Sequence, residues 1–98
     1  MPHSIMEKHE TTQFKIEQAL LNWGAQKVEV KNNSHLHVGH EGAKSGGGHF
    51  AVFVVTDQFV GMNRIKRHRL VYQQLGDLFD GGEIHALEVD AKTTEEVL

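Results

Sequence analysis

The spacing of apolar positions changes several times along this chain, and each change marks an element. From Glu10–Thr12 to Trp23, the residues Phe14, Ile16, Ala19, Leu20 and Trp23 recur at helical intervals, with Thr11 or Thr12 placed to cap and Gly24 to stop. Lys27-Val28-Glu29-Val30-Lys31 alternates strictly and predicts a strand with Val28 and Val30 inward. His49–Thr56 is β-branched and aromatic, the composition of a central strand. The long polar segment Asn32–Gly48 between them makes the two strands hairpin partners, and connections of that length in small domains are functional or disordered.

The spacing then returns to a helical period. Asn63–Phe79 predicts the main helix, with His68, Val71, Tyr72, Leu75, Leu78 and Phe79 on one side and Lys66, Arg67, Arg69, Gln73, Gln74 and Asp77 on the other. Leu70 falls among the polar residues and is expected as an exposed apolar contact. Gly81-Gly82 ends the helix, Glu83–Ala91 forms a third strand, and Thr93 or Thr94 with Glu95-Glu96 opens a short terminal helical turn. The order α-β-β-α-β, plus that turn, is an α+β architecture: a three-stranded sheet with helices on one face. Residues 1–9 read as a flexible N-terminus and 10–98 as a single domain.

Composition narrows the chemistry. The chain has 98 residues, no cysteine, eight histidines and a formal net charge of −3. Without a disulfide framework its stability rests on one hydrophobic core. The longest apolar run, Phe50–Val55, is far too short to span a bilayer, and Met1–Met6 lacks the apolar stretch of a signal peptide. The chain therefore reads as cytoplasmic, with no membrane partner. The negative balance speaks against wholesale nucleic-acid binding, yet Arg64, Lys66, Arg67 and Arg69 crowd one short stretch and form a local basic patch. That patch has two readings: a phosphate contact for DNA, or a solvated helix face that docks an acidic partner.

With no thiol of its own, the chain can offer a soft metal only imidazole nitrogen. Ser34-His35-Leu36-His37-Val38-Gly39-His40 contains His-x-His-x-x-His, a spacing that by itself points to zinc or nickel, and a solvated polar loop is the competing reading. By strict alternation His85 is in phase with Leu87 and Val89, at the start of the core-facing row near the rim of the sheet. His68 is expected as a packed core histidine. His49 is out of phase with Phe50, faces away from the core and receives no metal role. No nucleophile–base–acid order appears, and Gly46-Gly47-Gly48 precedes a strand rather than a phosphate-binding helix, so no enzyme is expected.

Four blocks occur in order: Val28-Glu29-Val30 before Asn33-Ser34-x-x-His37; His49-Phe50 before a Val-rich strand and Phe59-x-Gly61; Arg67-His68-Arg69-x-Val71-Tyr72; and Ile84-His85-Ala86-Leu87. Together, over about Gln13–Glu96, they resemble the BolA family. The resemblance implies a class II KH-like fold, without the Gly-x-x-Gly loop that clamps RNA. It also implies binding to a monothiol glutaredoxin and a shared bridging 2Fe–2S cluster, with transcriptional regulation through DNA as a second role. Carried over by motif, the cluster ligands are His85 and His37, with His40 as a possible substitute for the latter. The external thiolates come from glutaredoxin and glutathione. No cofactor is then expected in the isolated chain, which is a monomer or a weak homodimer. Nucleic-acid or partner contacts fall to Arg64, Lys66, Arg67, Arg69 and Leu70. Imidazole that can reprotonate gives a cluster that is labile as pH falls through about 6 to 7.

Overall fold

Alternating Val, Phe and charged residues build the sheet that carries everything else. The computed structural model describes residues 5–34 and 47–98. Among these, β1 (Lys27–Asn32) pairs antiparallel with β2 (Gly48–Val55), which pairs in parallel with β3 (Ile84–Lys92), in the spatial order β1-β2-β3. β2 is central, as its composition predicts, and buries Phe50, Val52 and Val54 against the helices. Val28 and Val30 of β1 pack on the same core, while Lys27, Glu29 and Lys31 are exposed. The α+β architecture and the strand order follow the sequence pattern.

The first helix, α1 (Ile5–Trp23), begins well before the expected start near Glu10. His9 is buried rather than part of a loose end, because His9, Thr12, Ile16 and Leu20 recur at helical intervals on one face. His9 meets the Phe50 ring edge-on, with centroids 6.2 Å apart. The close approach requires Gly48: a Cβ there would lie 2.4 Å from the Phe50 ring and 3.1 Å from His9 Cδ2. A Gln13 side-chain amide donates to the Val30 carbonyl at 2.8 Å and covers part of the free edge of β1.

After a 3-10 turn at Asp57–Phe59, the expected single helix is two: α2 (Arg64–Gln74) and α3 (Gly76–Asp80). Asn63 caps α2 by accepting from the Lys66 N–H at 2.9 Å. The break falls at buried Leu75, whose φ of −110° and ψ of 14° leave the helical region immediately before Gly76. Val71, Leu75, Leu78 and Phe79 pack on the core as the periodicity predicts, whereas Tyr72 is exposed. α2 also turns Arg67, Leu70 and Gln74 partly inward. Leu70 is therefore partly buried against the core, not exposed as expected. Ile65 and Tyr72 are the exposed apolar residues, at 63% and 40%. His68 is half-exposed rather than a core histidine. A short 3-10 turn at Glu95–Val97 ends the chain where a helical turn is expected.

Candidate functional site: the histidine end of the sheet and the basic face of the second helix

The parallel pairing of β2 and β3 contains one irregularity, and it falls on the residue singled out in the final strand. Gly48 pairs with Ile84 and His49 with Ala86, so His85 is the extra residue of a bulge. Ile84 and Leu87 are both buried, and between them the side chain of His85 swings to solvent. Strict alternation places His85 on the core-facing row; the bulge breaks that alternation and makes the imidazole accessible instead. A bulge at the rim re-aims a side chain without disturbing the strand beyond it, since Leu87 and Val89 keep their inward phase.

Beside His85 lies His49, with ring centroids 5.0 Å apart and planes at 42°. The sequence places His49 out of phase with Phe50 and without a metal role; its closeness to His85 follows from the register of β2 on β3, which one strand's pattern does not carry. The same corner holds both ends of the connection between β1 and β2. The Asn33 N–H donates to the His49 carbonyl at 2.8 Å, and the His49 N–H donates to Ser34 Oγ at 3.0 Å. On the returning side, Gly47 is so close to the bulge that a Cβ there would lie 2.9 Å from His85 Cβ. His37 and His40 lie outside the described residues.

The basic residues of α2 do not act alike. Arg67 points into the protein and donates from Nε to the Met62 carbonyl at 2.9 Å and from Nη1 to the Ala91 carbonyl at 3.0 Å. Its guanidinium also grips the Glu96 carboxylate through two bonds, of 2.7 and 3.2 Å. That contact, with the Thr93 N–H, holds the Glu96 carboxyl down to a pKa of about 2. Asp57 is likewise held below its usual value, by the hydroxyl and N–H of Thr94. Arg64, Lys66 and Arg69 are exposed, and none of them is in an ion pair among the described residues. Of the four cations in the expected patch, one is committed to the fold and three face outward.

A protein-family model described as BolA-like protein matches residues 16–96. The chain belongs to the BolA family. It is 42% identical over 76 residues to the UV-induced protein uvi31 of Schizosaccharomyces pombe, covering 72% of this chain and 74% of that protein. It is 41% identical over 69 residues to the DNA-binding transcriptional regulator BolA of Vibrio cholerae, covering 70% of this chain and 61% of that one. Among solved structures, the BolA domain of SufE1 from Arabidopsis thaliana superposes with a TM-score of 0.78 at 36% identity, over 88% of this chain and 95% of that domain. The family match spans the bulge, the hairpin anchors and all of α2.

In this BolA-like chain the described residues contain no group of three or more side chains able to hold a metal ion, and the histidine corner supplies two imidazoles. No helix among the described residues is long and apolar enough to cross a membrane.

Proposed function

We propose that this chain is a non-catalytic BolA-like adaptor that binds a monothiol glutaredoxin and co-ligates a bridging 2Fe–2S cluster, in iron–sulfur trafficking or iron-linked regulation. The observation that carries this reading is the exposed His85 ring at a bulge, set against both anchored ends of the segment that bears His37 and His40. His85 and His37 would hold the cluster on this side, with His40 as substitute. His49 becomes a further nitrogen donor to consider, since its ring is His85's neighbour. Thiolates of glutaredoxin and glutathione would complete the set, because this chain has no cysteine. Such a cluster supplies one-electron chemistry and a transferable iron–sulfur unit, and histidine ligation raises its potential.

The chain's own part is positional. The bulge exposes the imidazole, Ser34 and Gly47 hold the hairpin ends beside it, and the buried face of β3 keeps that corner fixed. Anaerobic reconstitution with a monothiol glutaredoxin, glutathione, iron and sulfide tests the reading. Wild type is expected to form a heterodimer whose visible spectrum differs from that of the glutaredoxin alone. His85→Ala is expected to abolish that change, and His37→Ala, His40→Ala and His49→Ala rank the second ligand. A wild-type mixture with the spectrum of glutaredoxin alone would refute the proposal.

A second reading, a DNA-binding regulator, is favoured by the 41%-identical relative named for that activity and by the outward cations of α2. Here the contacts would be Arg64, Lys66 and Arg69 to phosphate, with Arg67 holding the helix in place rather than touching DNA. Affinity should fall steeply with salt, and Lys66→Ala should lower the salt slope by about one unit whereas a neutral exposed position should not.

A further inference from the structure

The charge on α2 is arranged against the stability of the helix that carries it. Its first turns hold Arg64, Lys66 and Arg67, its last turn holds no basic residue, and residues 58–76 contain no acidic residue at all. The N-terminal end of a helix is already partly positive, so cations belong at the other end. Arg67 is relieved by Glu96, whereas among the described residues no carboxylate pairs with Arg64 or Lys66. A local rule broken without internal compensation marks a surface built for something outside the chain.

The same face is not simply a charged one. Ile65, His68, Arg69, Tyr72 and Gln73 line a shallow hollow of about 390 Å³ whose exposed apolar members are Ile65 and Tyr72. Tyr72 is held rigid there: its ring stacks on Phe79 at 4.9 Å and 20°, and its hydroxyl donates to the Leu87 carbonyl at 2.8 Å. A second hollow of about 320 Å³ lies between Arg64, Arg67 and the Val89–Lys92 stretch of β3, and His68 is a wall of both. Arg67 of the second hollow is held by Glu96 and Lys92 by Asp90, so one bound segment can place an apolar side chain in the first hollow and carboxylates toward the outward Arg69 and Arg64. Tyr72 also ties this face to the histidine corner, since Leu87 lies two residues beyond His85 on the same strand.

We infer that the Ile65–Arg69–Tyr72 face of α2 is the docking surface for the cluster-sharing protein partner, and that it accepts a partner segment carrying an apolar side chain flanked by carboxylates. This rests on the adaptor reading above. Nucleic acid fits the face less well, because two of its prominent exposed groups are apolar, only three outward cations are present, and the chain as a whole is negative.

The test measures association of the cluster-free chain with a purified cluster-free monothiol glutaredoxin by titration calorimetry, so that docking is read apart from ligation. Arg69→Glu is expected to weaken binding by about tenfold and Ile65→Ser by about fivefold. Lys31→Glu, an equal charge change at an exposed site on β1, should stay within about twofold. Circular dichroism on each variant verifies the fold. If wild type binds and neither Arg69→Glu nor Ile65→Ser weakens it, this docking surface is wrong while the adaptor reading stands. If wild type does not bind cluster-free glutaredoxin at all, the docking surface is overturned, while the adaptor reading is decided separately by the reconstitution above. If the two variants instead weaken binding to a labelled 20-base-pair duplex and leave glutaredoxin binding intact, the face serves nucleic acid and the inference is overturned.

Discussion

His85 and Arg67 stand at opposite fates in one small fold. Both carry chemistry legible in the sequence, and both belong to one edge of the sheet, His85 within β3 and Arg67 bonded to its Ala91 carbonyl. The backbone of β3 bulges at His85 and turns the imidazole outward, where no element of the described chain covers it. Near the other end of the strand, Arg67 is turned inward and spent on two backbone carbonyls and the chain's own Glu96. Residue type says what a side chain can bind; register and packing say whether anything outside the protein can reach it.

The sharpest way to break this contrast is to remove each group and follow stability separately from binding. Arg67→Ala should cost about 2–3 kcal/mol in denaturant unfolding, because it strips donors from Met62 and Ala91 and leaves the Glu96 carboxylate without its partner. Stability unchanged by this substitution would return Arg67 to the pool of outward cations. Gly48→Ala should come next, at roughly 1–3 kcal/mol, since its Cβ would collide with Phe50 and push on His9 across the packed face of β2. A neutral result would mean that the corner under His49 and His85 is looser than the packing indicates.

Acid provides a graded version of the first experiment. The folded-state pKa of Glu96 is about 2, against an ordinary value of 4.5. The stabilisation from its ionised form is therefore complete above about 4.5 and drains away as pH falls toward 2. Asp57, shifted in the same direction by Thr94, adds to the same limb. Glu96→Gln should flatten the loss of stability between those values, as followed by thermal melts at stepped pH, and an unaltered acid limb would discount the clasp. The smallest stability effect belongs to His85→Ala, within about 0.5 kcal/mol, as expected for a solvent-facing side chain. A larger loss would show that the ring is part of the structural fabric of the bulge.

Much of this molecule is visible one strand or one helix at a time. The alternation of Val28 and Val30, the Val-rich run after Phe50 and the paired Gly81-Gly82 each locate an element to within a residue or two, because local spacing reports which face is buried. His85 and the hairpin connection are likewise findable, from motif blocks rather than from geometry. What escapes is whatever depends on two segments at once. His49 becomes a neighbour of His85 only through the register of β2 on β3. The inward turn of Arg67, expected on the polar side of α2, follows from its finding carbonyls at residues 62 and 91.

The chain's own order of residues thus determined its elements, its single apolar core and its family, since these follow from patterns confined to short stretches. The tertiary structure decided which imidazole is presented, which arginine is withheld and which apolar groups remain on the surface. The reason is physical: one unpaired residue in a ladder reverses the direction of the side chain beside it, and only contacts between distant segments choose where that happens.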